Sequence, residues 1–115
     1  FKALGNRIDY TITNFLLLGK IKEKYPQIEI IAVNESEVIY FLSSNSNFNF
    51  TPLEKKNFSL IPLSETIQDL SIKGAKWELN KVELTKTSSH GISNFATGKK
   101  VEISFSSGIL AVSVF

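Results

Sequence analysis

Residues 1–26, FKALGNRIDYTITNFLLLGKIKEKYP, carry the reading on which the fold turns. Phe1, Leu4, Ile8, Ile12, Phe15 and Leu16 recur at three- and four-residue steps, so they share one face of a helix. Lys2, Asn6, Asp9 and Thr13 fall on the opposite side. Lys20, Lys22 and Lys24 bring positive charge to the last turn, where the helix dipole favours it. Pro26 ends the run and pushes Tyr25 toward an extended conformation. The expectation is an amphipathic helix over residues 1–25, with Ile8, Ile12 and Phe15 turned toward the remainder of the fold and Phe1 and Leu4 projecting past it.

From Gln27 the period falls to two. Ile28, Ile30 and Ala32 alternate with Glu29, Ile31 and Val33, and after the turn Asn34-Glu35-Ser36 a second strand runs from Val38 to Leu42. Residues 43–57 read as an Asn- and Ser-rich loop. Phe58 to Ile61 reads as a strand closed by Pro62, and Ser64 to Leu70 as one helical turn capped by Ser64. Strand-like pieces follow at residues 70–73, 77–79 and 82–86. The clearest hairpin comes last, with Val101, Ile103 and Phe105 leading through Ser107-Gly108 to a return over Ile109 to Phe115. The predicted class is α+β, one long N-terminal helix packed on an antiparallel sheet.

Composition limits the functions available. With 43% apolar and 21% charged residues the chain is that of an ordinary folded domain. Thirteen Lys and Arg against 11 acids give a net charge of +2, too even to point to a polyanion, and no nucleic-acid partner is expected. Cysteine is absent, so disulfides and thiolate metal sites are excluded. No apolar run in the 115 residues reaches the roughly 18–20 that a membrane span needs.

No arrangement of side chains announces a reaction. His90, between Ser89 and Gly91, lacks an orienting carboxylate in any recognisable motif and reads as a solvated loop histidine. Thr97-Gly98-Lys99-Lys100 fails the spacing of a phosphate-binding loop. Glu29, Glu78, Glu83 and Glu102 stand singly, most of them at outward strand positions. Phe48, Phe50, Phe58 and Phe95 have Lys55, Lys56 and Lys99 near them, as an aromatic grip on single strands would need, but loop phenylalanines of small domains also plug core edges. The expectation is a protein without catalytic activity, without a metal and without a cofactor.

The layout resembles the soluble part of a type IV pilin-like protein, a minor pilin or a pseudopilin of type II secretion. The segment Ile61-Pro62-Leu63-Ser64-Glu65-Thr66-Ile67-Gln68-Asp69-Leu70-Ser71-Ile72 looks like the stretch that precedes the late strands of larger minor pilins. The family's terminal Phe, followed four residues later by Glu, is not matched, because Gly5 stands at the fifth place. The resemblance implies a single domain over residues 1–115, with the helix at 1–25 and the sheet region at 27–115. It implies a structural subunit of an extracellular filament or secretion pseudopilus, held to its pilin-like neighbours through the helix face of Phe1, Leu4 and Ile8. It also implies a membrane anchor ahead of Phe1 and an extracytoplasmic domain, periplasmic or at the cell surface. An apolar helical segment before Phe1 is expected on further grounds, since no capping residue precedes it and the chain holds no Met. The alternative is a small exported binding module, non-catalytic, that contacts its ligand through residues 43–57.

Overall fold

The computed structural model describes residues 8–44, 47–52, 56–87 and 93–115. Among the described residues one helix, α1 (Ile8–Lys24), is followed by nine strands: β1 (Ile30–Val33), β2 (Val38–Ser43), β3 (Phe48–Phe50), β4 (Asn57–Pro62), β5 (Thr66–Lys73), β6 (Leu79–Thr85), β7 (Asn94–Phe95), β8 (Val101–Ser104) and β9 (Ile109–Val114). They form two antiparallel sheets, one in the order β1-β2-β9-β4-β7 and the other in the order β3-β8-β5-β6. The expected α+β class, a long helix on a single sheet, is therefore wrong. The molecule is a β-sandwich carrying one helix of 17 residues on an outer face.

Period-two alternation explains the layers. Leu42, Leu110, Val112, Phe58 and Leu60 point from the first sheet into the sandwich and meet Ile67, Leu70, Ile72, Leu84, Val101 and Ile103 from the second. Most of these side chains are completely buried, and each contributes about 1.5–3 kcal/mol by leaving water. The alternate residues of the first sheet, Ala32, Ile39, Phe41 and Ala111, face outward and receive Phe15 and Leu18 of α1. The rings of Phe15 and Phe41 lie 5.6 Å apart.

Ile12 and Leu16 do not share that contact. They are 53% and 54% exposed and line a shallow apolar groove beside Ile61, Pro62 and Leu63. Residues at 11, 15, 18 and 22 form the docked stripe, so the apolar face read from sequence was rotated away from the true one. Lys22 closes that stripe. Only 4% exposed, it donates from Nζ to the carbonyls of Pro26 (2.9 Å) and Ile28 (2.6 Å), tying the turn after α1 to the helix. Phe1 and Leu4 lie outside the described residues, as does the side chain of Ile8. Among the described residues no helix is long and apolar enough to cross a membrane.

Two further expectations fail for one reason each. The supposed helical turn at Ser64–Leu70 is the start of β5. A β-bulge interrupts its pairing with β6 between Ile67 and Leu70, and Asp69 sits at φ 53°. The bulge makes buried residues follow one another at a spacing of three, which imitates a helix. Ser64 is no cap: its Oγ accepts from the Ile109 N–H (3.0 Å) and donates to the Thr66 carbonyl (2.8 Å).

The supposed final hairpin is a crossing between sheets. β8 pairs with β3 and β5, whereas β9 pairs with β2 and β4. The connection instead bonds to β5, through Gln68 N–H to the Ser107 carbonyl (3.1 Å) and Ser106 N–H to the Gln68 carbonyl (2.9 Å). Gly108 makes the corner possible, with φ +116° and the Thr66 carbonyl oxygen only 2.6 Å from where a Cβ would stand. The hairpin of β1 and β2 is as the sequence suggests, its turn held by Asn34 Oδ1 accepting from the N–H groups of Ser36 (2.9 Å) and Glu37 (2.8 Å).

Candidate functional site

β7 is two residues long and joins the sandwich at its side. Along one edge it pairs with β4, Asn57 opposite Phe95 and Phe58 opposite Asn94. Along the other it holds the loop that follows β5: Lys76 N–H donates to the Phe95 carbonyl (2.8 Å), and Ala75 bridges to Ala96. That loop is fixed from several sides. Glu78 Oε2 accepts from the Gly74 N–H (2.8 Å), and Thr97 Oγ1 donates to the Gly74 carbonyl (3.2 Å). Gly74 itself has φ +84°, and a Cβ there would lie 2.0 Å from the Lys100 carbonyl oxygen.

Asn94 is the centre of this arrangement. It is 1% exposed, and its Oδ1 accepts from the N–H groups of Trp77 (3.1 Å) and Phe95 (2.8 Å). Its Nδ2 donates to the Trp77 carbonyl (2.7 Å). The side chain thus mimics a strand partner for Trp77 and satisfies main-chain groups that would otherwise be buried without bonds.

The clamp presents two rings to solvent. Trp77 is 51% exposed and Phe95 40%, with centroids 6.5 Å apart and planes at 64°. The Lys76 ammonium lies 4.7 Å from the Trp77 centroid and 5.9 Å from that of Phe95. Electron-rich ring faces attract cations, and here a cation already sits on them. Asn57, directly across from Phe95, has a buried Oδ1 with no hydrogen-bond partner among the described residues. A rigid aromatic pair of this kind can hold a planar, positively charged heterocycle.

A larger cleft elsewhere is less suited. This cleft of about 590 Å³ beside Lys22, Glu29, Tyr40 and Phe48 has its lysine already committed to two carbonyls. Among the described residues no three of His, Cys, Asp and Glu gather in a group that could hold a metal.

The residues singled out from sequence are scattered. Tyr40, Phe48, Phe50 and Phe58 form a ladder of rings 4.9–5.8 Å apart against the core, so the described part of the 43–57 segment packs chiefly on the sandwich, with Phe48 also lining the cleft beside Lys22. Phe95 alone of the four phenylalanines stands exposed. His90 and Lys55 lie outside the described residues. Trp77 and Asn94 were not singled out. The signal for them was the chain's one tryptophan following Gly74-Ala75-Lys76, since an aromatic beside a lysine in a loop is a candidate contact.

Known proteins of the same fold include members of one enzyme family. Residues 42–110, more than half of the chain and including the whole Trp77–Phe95 site, match the family described as thiamin pyrophosphokinase, vitamin B1 binding domain. The chain is 31% identical over 111 residues to the thiamine pyrophosphokinase of Bacillus subtilis, covering 96% of itself and 50% of that protein. The crystal structure of the Bacillus subtilis enzyme superposes with a TM-score of 0.84 at 27% identity, over 97% of this chain and 52% of that one. Thiamin pyrophosphokinase from Candida albicans shares the fold, with a TM-score of 0.81 at 18% identity over 97% of this chain and 41% of that one. The chain thus spans about half the length of the relatives it matches.

These matches overturn the pilin-like resemblance and what it implied. A filament subunit, pilin-like neighbours, a membrane anchor and an extracytoplasmic location lose their support, and the helix face of Phe1, Leu4 and Ile8 loses its assigned partner. A non-enzymatic role, as filament subunit or exported module, gives way too, because the relatives are named as enzymes. By the span that matches the family and by its identity to the Bacillus subtilis protein, the chain belongs to the thiamin pyrophosphokinase vitamin B1 binding domain family.

Proposed function

We propose that this chain is the vitamin-binding portion of a thiamin pyrophosphokinase, and that the Trp77–Phe95 platform receives the vitamin. The observation that carries the reading is the pair of exposed rings held rigid by buried Asn94, with a cation resting on their faces. Vitamin B1 joins an aminopyrimidine to a permanently positive thiazolium. Stacking suits its two flat rings, and the thiazolium suits the negative ring faces.

A pyrophosphokinase moves a diphosphoryl group from a nucleoside triphosphate to a substrate hydroxyl. Such transfer depends chiefly on positioning and on charge stabilisation. In this reading the sandwich supplies position: the ring pair orients the vitamin, and the lysine beside it meets the charge that arrives.

Trp77 is the chain's one tryptophan, which makes it a direct reporter. Titration with thiamin or thiamin diphosphate is expected to change its emission saturably. Phe95→Ala should weaken that binding by roughly tenfold, the scale of one lost aromatic contact. Unaltered emission across millimolar ligand, in a chain shown to be folded, would refute the assignment.

A further inference from the structure

We propose that Lys76 is a built-in cation that occupies the seat on the Trp77–Phe95 platform and makes the site select its ligands by their phosphate groups, an inference that rests on the vitamin-binding reading above. The ammonium is within reach of both ring faces at once, at 4.7 and 5.9 Å. A thiazolium seeking the same faces meets a like charge already on them. Two unit charges cannot share one ring face without repulsion, so the bare vitamin must first move the lysine aside.

The residue is built to be moved. Lys76 is exposed, and its main-chain N–H is bound to the Phe95 carbonyl independently of the side chain. Its flexible four-carbon stem can swing while the loop stays in register. A phosphorylated ligand provides what draws it off: anionic oxygens in hydrogen-bond reach of an ammonium that has three donors. One side chain therefore opposes the cationic vitamin and assists the vitamin carrying phosphate. The site so arranged favours the diphosphate, the product of the transfer, over the unphosphorylated substrate, and retains product in preference to it.

The test compares the chain with Lys76→Gln, which keeps length and hydrogen bonding but removes the charge. Trp77 emission is titrated with thiamin, with thiamin diphosphate and with N-methylpyridinium, a cationic ring without phosphate. The unaltered chain is expected to bind the diphosphate more tightly than thiamin. In Lys76→Gln that preference should shrink by roughly tenfold, as thiamin gains about two- to fivefold and the diphosphate loses a similar factor. Pyridinium should bind Lys76→Gln the more tightly. A preference unchanged within about twofold would overturn the proposal, on the same scale of energies. Should neither vitamin form bind either chain, the vitamin reading falls by itself. Pyridinium then decides the seat: stronger binding to Lys76→Gln upholds the lysine's occupancy, and equal binding overturns it.

Discussion

Asn94 and Trp77 are joined through both polar atoms of one side chain, Oδ1 accepting from the Trp77 N–H at 3.1 Å and Nδ2 donating to the Trp77 carbonyl at 2.7 Å. An exposed tryptophan thus acquires the fixity of a core residue without being buried. Asn94→Ala would leave the Trp77 N–H, the Trp77 carbonyl and the Phe95 N–H without these partners. The expected loss is about 2–4 kcal/mol in urea unfolding, accompanied by a drop in Trp77 emission anisotropy. A loss below about 0.5 kcal/mol would show that the loop holds itself without the clamp.

Gly74→Ala tests the other end of the same loop. The new Cβ would stand 2.0 Å from the Lys100 carbonyl oxygen at φ +84°, so main chain must shift and the left-handed backbone is strained as well. The expected cost exceeds about 2 kcal/mol, and ligand-induced changes in Trp77 emission should weaken with it. Full stability in thermal unfolding would mean that the approach to Lys100 relaxes easily.

Burial holds the Lys22 ammonium below the ordinary lysine value of 10.5, against a smaller upward pull from Glu29. The unfolded chain therefore binds more protons in the window between the lowered value and 10.5, and stability rises with pH there. The penalty is fully present below the folded value and relieved above it. Lys22→Met should cost about 1–3 kcal/mol at neutral pH, because two carbonyls lose their donor. The gap between the native chain and Lys22→Met should then widen as pH is raised toward about 10.5, measured by denaturant midpoints. A gap that narrows would reverse the assigned sign.

Phe15 and Leu16 are neighbours with opposite surroundings. Phe15 packs on Phe41 and the outer face of the first sheet, while Leu16 is 54% exposed. Phe15→Ala is expected to cost about 2–4 kcal/mol, somewhat under the value for a fully buried ring, and Leu16→Ala less than about 0.5 kcal/mol. Equal costs would place the docked stripe elsewhere.

Much of the strand content was legible, and the pairing was not. Val101 to Ile103 announces a strand by alternation and Ile109 to Val112 by a short continuous apolar run, but neither pattern says which edge a strand will meet. Ser107-Gly108 looks the same in a hairpin and in a corner between sheets; what differs is that the backbone of Gln68 waits across the gap. At Ile67 and Leu70 the bulge replaced a spacing of two with one of three, so local pattern and true conformation disagreed. The helix was legible as an element, yet apolar residues surround it: Tyr10, Ile12, Leu16 and Leu17 are exposed while Lys22 is buried, which inverts the simple rule. The site was hidden for a different reason. Lys76 and Trp77 come from the loop after β5 and Asn94 and Phe95 from β7, and no spacing in the chain records that meeting.

β9 is the ninth of the nine described strands in sequence and the middle strand of its sheet, lying between β2 and β4 along Val112, which faces Tyr40 on one side and Leu60 on the other. A chain made from its N-terminus onward therefore holds β2 and β4 with no strand between them until residues 109–114 are available. The first sheet cannot assemble progressively during synthesis; it closes in one late step, through contacts between residues as distant as Val38 and Val114. Loss of residues 109–114 removes the centre of the sheet and leaves two bare edges, so a chain without them is a species prone to aggregation and not merely a less stable domain.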